Sequence, residues 1–138
     1  MADNSSAYAE LDAMIAAIRR LKDAPQQVAK EAAPLIEAAV RQRVASGIDA
    51  DGKAWASKKD GSKALVGVKK DISVTATGGL IVVKLTGNAA WHQRSRGRTD
   101  SRPQRKILLD AGAKIPDEIA QALVTAGNRV LARMLGGR

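Results

Sequence analysis

Gly78-Gly79 separates two runs, residues 71–77 and 80–86, in which apolar side chains alternate with polar ones, and this arrangement restricts the fold more than any other part of the chain. Alternation with a period of two marks a strand with one buried face. A two-residue glycine link, in which both residues can take positive φ, is a hairpin turn. Pairing Thr77 with Leu80 sets Ala76 opposite Ile81, Val74 opposite Val83 and Ile72 opposite Leu85, so all six share one face. The other face carries Ser73, Thr75, Thr77, Leu80, Val82 and Lys84, a mixed surface fit to meet water or a neighbouring subunit. A weaker strand is expected at residues 64–68, and Ile107-Leu108-Leu109 reads as a short strand returning to the sheet.

Helical periodicity brackets this hairpin. Over residues 7–23 the apolar positions Tyr8, Leu11, Ile15 and Ile18 step by three and four, widened by Met14 and Leu21, which predicts an amphipathic helix capped by Ser5 or Ser6. Pro25 suits the first turn of a second helix running to about Ser46. Its apolar side is Val28, Ala32, Leu35, Ile36, Ala39 and Val40, with Lys30, Glu37, Arg41 and Arg43 mostly opposite. Pro34 within it predicts a bend or a break. Gly47 is the expected C-cap. Near the other end, Ile115-Pro116-Asp117-Glu118 has a proline and two acids suited to a first helical turn. Ile119, Leu123, Ala126, Val130 and Met134 form the stripe of that final helix, where Gly127 costs roughly 1 kcal/mol relative to Ala unless it admits a close neighbour. The expected fold class is therefore α+β: long N-terminal helices, a small antiparallel sheet with a Gly-Gly hairpin, and a C-terminal helix packed on the sheet. The 138 residues suffice for one domain. Residues 1–47 form its helical part, 48–112 its loop and sheet, and 113–138 its closing helix.

Aromatic residues make up 2% of the chain and Phe is absent, so Ala, Val, Ile and Leu must build the core. Such a core buries less area per side chain than one with rings, and a neighbouring copy would add to it. Disulfides, thiolate metal sites and cysteine nucleophiles are excluded because there is no Cys. The first residues show no basic region followed by an apolar run, and no stretch approaches the roughly 20 apolar residues of a membrane span. The reading is of a chain that is neither exported by a signal peptide nor partnered with a membrane.

Residues 94–106 pose the functional question. Arg94, Arg96, Arg98, Arg102, Arg105 and Lys106 are six positive charges against the single negative charge of Asp100, in a chain of net charge +9. Each unpaired guanidinium would cost several kcal/mol to bury. The segment must face water, an acidic partner or phosphate, and these six residues are the candidate partner-binding set.

Chemistry is harder to find. Asp49-Ala50-Asp51-Gly52 resembles part of a calcium loop, but placing Gly52 at the loop's sixth position puts Gly47 first and Lys58 twelfth, where carboxylates are needed. It reads as a solvated turn, with Trp55 pinning the loop to the core. His92 is the only histidine, so a metal site would need carboxylates, and these are scattered singly. Ser95, Ser101, Asp100 and His92 contain the residue types of a triad, yet no nucleophile-elbow pattern presents the serine. We read no catalytic residue, no metal and no cofactor, and take the chain for a non-enzyme.

The order of these features resembles a known family. Two N-terminal helices, a loop with Gly52 and Trp55, a short β-meander, Trp91-His92-Gln93 near Gly97, an Arg102-Pro103 pair and a closing helix resemble the virion-morphogenesis or tail-completion proteins of tailed bacteriophages. The resemblance covers about residues 47–120. The chain departs from the family's pattern at Gln104, where Phe is usual, and in having Trp91 directly before His92. The resemblance implies a structural component of the virion neck, made in the host bacterial cytoplasm. It acts there in tail completion and head-tail joining, as one copy of a ring that meets adjacent neck, adaptor, tail-tube or terminator proteins. Trp91, His92 and Gln93 would stabilise the turn leaving the sheet, and residues 94–106 would form an arm that docks on an acidic protein surface or lines the DNA passage. The competing expectation is a small nucleic-acid-binding protein, with the arm and Lys53, Lys58, Lys59, Lys63, Lys69 and Lys70 on phosphates.

Overall fold

The computed structural model describes residues 4–61, 65, 67–94 and 105–136. In chain order the elements are α1 (Asn4–Arg20), a 3-10 turn (Leu21–Asp23), α2 (Ala24–Ser46), a second 3-10 turn (Val68–Asp71), β1 (Ile72–Thr77), β2 (Leu80–Leu85), α3 (Gly87–Gln93) and α4 (Asp117–Gly136). The fold class is α+β, as the sequence predicts.

The centre is α2, which packs against both α4 and β1. Its Ala32, Ala33, Ile36, Val40 and Val44 join Ile72 and Val74 of the sheet, Ala89 of α3, Ile107, and Ala122 and Ala126 of α4 in one apolar cluster. Small side chains on α2 and α4 let the two helices approach closely. Pro34 does not split α2, which runs unbroken from Ala24 to Ser46. The proline is on the exposed side, and buried neighbours before and after it hold the helix together across the one hydrogen bond it removes. Gly47 ends the helix at φ 72°, with its N–H donating to Val44 O at 3.1 Å.

The hairpin register is the expected one, from Ile72 opposite Leu85 to Thr77 opposite Leu80. Its turn differs from expectation, because Gly78 has positive φ, at 57°, and Gly79 does not. That asymmetry belongs to a type II′ turn, whose first central position calls for glycine. The outer edge of β1 is closed by α2. Val74 N–H donates to Glu37 Oε2 at 2.9 Å, and Arg41 Nη2 donates to Ile72 O at 2.9 Å. Glu37 and Arg41 also pair at 3.0 Å. Two residues read as a solvated helix face thus take the hydrogen bonds a third strand would make.

Three local expectations are overturned. Residues 64–68 were expected as a strand, but Leu65 is in a turn with φ 61° and Val68 begins a 3-10 turn, while residues 64 and 66 lie outside the described set. The Ile107-Leu108-Leu109 run is not a strand, and among the described residues the sheet has two strands. Its apolar character reflects burial of Ile107 in the core. Finally, Trp91-His92-Gln93 ends a short helix, α3, where a turn was expected. Gly87, at φ 51°, redirects the chain after β2, and Ala89 on the first turn is fully buried.

Two expectations for α1 also fail: the helix begins at Asn4, so Ser5 and Ser6 lie inside it and not at its cap position, and its apolar stripe is left uncovered. Tyr8, Leu11, Met14, Ile15 and Ile18 are all exposed. No helix among the described residues is long and apolar enough to cross a membrane.

Candidate functional site

The root of the cationic segment is where the motifs singled out in the sequence meet. Gln93, the last residue of α3, reaches across to the backbone that follows the segment. Its Oε1 accepts from Ile107 N–H at 2.7 Å and Leu108 N–H at 2.8 Å, while its Nε2 donates to Leu108 O at 3.1 Å. One side-chain amide thereby satisfies three backbone groups. This replaces the strand ladder expected for residues 107–109.

The Gly52-to-Trp55 loop closes the root from the other side. Asp49 Oδ1 accepts from the N–H groups of Asp51 and Lys53 at 2.9 and 2.8 Å, and Ile48 and Ala54 form a bridge around the turn. Gly52, at φ 86°, completes it. The carboxylate that suggested calcium is engaged by its own turn. Trp55 N–H donates to Gly47 O at 2.8 Å and its half-buried side chain packs against the core. Ala50 N–H then donates to Lys106 O at 3.2 Å. Arg105 donates from Nε and Nη2 to Ala56 O at 3.3 and 3.0 Å.

Of the six candidate partner-binding residues, Arg94 is exposed at the C-terminal end of α3. Arg105 is turned back to the Ala56 carbonyl. Lys106 pairs with Asp110 at 2.6 Å, and that carboxylate raises its pKa above the ordinary lysine value. These last two positive groups serve the root itself, which sequence reasoning missed. The four-residue spacing of Lys106 and Asp110 was the available signal. Arg96, Arg98, Arg102 and Pro103 lie outside the described residues. Trp91 and His92 meet edge to face, ring centroids 4.7 Å apart at 88°. Trp91 is 39% exposed and His92 half-buried. The serines and Asp100 of the conceivable triad fall outside the described residues.

A cleft of about 700 Å³ lies beside the root, between the end of α2, the 48–52 turn and the start of α4. Its wall contains a pair the sequence reading did not find. Arg43, 9% exposed, donates from Nε to Glu118 Oε1 at 2.9 Å and from Nη2 to the same oxygen. The Arg43 hydrogen bond, followed by a backbone N–H, holds the Glu118 carboxyl below its ordinary range. Each charge is at the helix end its dipole favours, Arg43 in the last turn of α2 and Glu118 in the first turn of α4. Among the described residues no three of His, Asp and Glu are grouped to hold a metal ion. The arrangement ties residues 105–108 to the end of α3 and to the 48–56 loop.

Compared with family models, curated proteins and solved structures, the chain has no significant match.

Proposed function

We propose that this chain is a non-enzymatic structural protein of a tailed-phage virion, one copy of a ring in the neck that completes the tail and joins it to the head. The observation that carries the reading is the Gln93 clamp. The His92-Gln93 pair belongs to the motif set that resembles the tail-completion family, and here Gln93 fixes the backbone where the cationic segment rejoins the body. In this reading the arginines of the segment meet an acidic face of a neck, adaptor or tail protein. Arginine suits that role because its planar fork pairs bidentately with carboxylates. Imaging of intact particles tests the proposal: density for this chain in a ring between capsid and tail is expected, and its absence from particles would end the reading.

A net charge of +9 favours one alternative, a small nucleic-acid-binding protein. Lys53, Lys58, Lys59, Lys69 and Lys70 are all exposed. Phosphate contacts would make affinity fall steeply with salt. A filter-binding titration on duplex DNA at low and moderate ionic strength separates the two readings.

A further inference from the structure

Two helical faces in this molecule are apolar and unpartnered. On α1, Tyr8 is 66% exposed and Met14 62%, with Leu11, Ile15 and Ile18 beside them on the same stripe. On α4, Val124, Leu131 and Leu135 are exposed, Leu135 to 60%, at spacings of seven and four that align them on the side away from the buried Ala122, Ala126 and Val130. A 17-residue helix draws most of its stability in water from packing an apolar face. Among the described residues the α1 stripe stays mostly exposed, although α1 makes a small contact with α4 of its own chain.

We propose that α1 of one copy seats its stripe on the outer face of α4 in a second copy, an inference that rests on the ring reading and supplies its subunit contact. Four observations favour this occupant. The two faces match in length, since Tyr8 to Ile18 and Val124 to Leu135 each span about 15 Å at 1.5 Å per residue. Together their exposed side chains hold roughly 800 Å² of apolar surface, comparable to the non-polar share of a small specific interface. Gly127 lies on the α4 strip between Val124 and Leu131, and nothing within 4 Å occupies the place of its missing Cβ. That leaves a shallow gap able to admit a side chain from outside. Last, a contact of unlike faces covers both stripes of every copy in a ring, which forms where the rotation per copy divides a full turn, whereas pairing α1 with α1 would leave the α4 face in water.

A lipid surface is the competing occupant for an amphipathic helix, but it calls for a basic polar face. The polar side of α1 carries Glu10 and Asp12 against Arg19 and Arg20, with no net charge.

The test uses the full chain in analytical ultracentrifugation. The native protein is expected to sediment as one closed oligomer. Leu11→Glu with Ile18→Glu, and separately Leu131→Glu with Leu135→Glu, are each expected to give monomers that keep a cooperative unfolding transition, with far-UV circular dichroism falling by no more than the contribution of α1. Val124→Lys provides a second disruption of the α4 face should the double variant lose more helix than that. An equimolar mixture of the α1 and α4 variants retains one intact pair of faces and should yield a dimer and nothing larger. An oligomer unaffected by the α1 substitutions would overturn the inference while leaving the ring reading standing. Self-association of the α4 variants, or no dimer in the mixture, would overturn the pairing of unlike faces. A native chain that stays monomeric, or that co-sediments with anionic vesicles, would overturn it as well; particle imaging tests the ring reading separately.

Discussion

Gln93 and Leu108 are joined twice, Leu108 N–H donating to the side-chain oxygen at 2.8 Å and the side-chain nitrogen donating to Leu108 O at 3.1 Å. The reciprocal bond ties the end of α3 to Leu108 without a strand ladder. Gln93→Ala should leave three backbone groups without that partner and cost about 2–3 kcal/mol. Chemical denaturation measures the loss, and amide exchange at Ile107 and Leu108 should accelerate more than exchange in the hairpin.

The Arg43–Glu118 pair should make stability depend on acid. Glu118 has a lowered pKa in the folded chain, so its contribution is complete above the unfolded carboxylate value near 4.3 and is lost as pH falls through the lowered folded value. Glu118→Gln should therefore destabilise the chain at neutral pH, by about 1 kcal/mol given that the carboxylate is half exposed, and the difference from the native protein should shrink in strong acid. Thermal unfolding across pH 2–7 reads both outcomes.

Glu37 stands in for a strand partner at Val74. Glu37→Ala removes the acceptor of Val74 N–H and the partner of Arg41, and should cost about 1–2 kcal/mol. Faster exchange of the Val74 amide, with that of Thr75 unchanged, would identify the edge bond as the cause.

The hairpin glycines should respond unequally. Gly78→Ala places a Cβ on a residue with φ of 57° and should cost about 1–2 kcal/mol. Gly79→Ala meets only Pro25 Cβ at 3.5 Å, an ordinary contact, and should be nearly neutral. Equal losses in the two variants would contradict the type II′ assignment.

Local patterns carried much of the fold. Alternation around Gly78-Gly79 determined the register, because a slip by one residue would turn Ile72, Val74 and Val83 to the solvent face. Periodicity and capping residues located α2 and α4, since the signals for helix ends are local in sequence. Composition led to the expectation that residues 94–106 face water or a partner, yet Arg105 and Lys106 are half-buried and bonded within the chain. Tertiary structure decided what those elements meet. Whether Glu37 and Arg41 are solvated or close the edge of β1 depends on where α2 lies against a strand more than thirty residues away. Residues 107–109 look like a strand by composition, yet their backbone partners are the Gln93 amide and not a third strand, because burial of Ile107 needs an apolar residue and not a ladder. The same holds for α1: its stripe is legible from the sequence, but an apolar face records only that burial is favourable, and the surface that covers it is chosen by geometry in three dimensions.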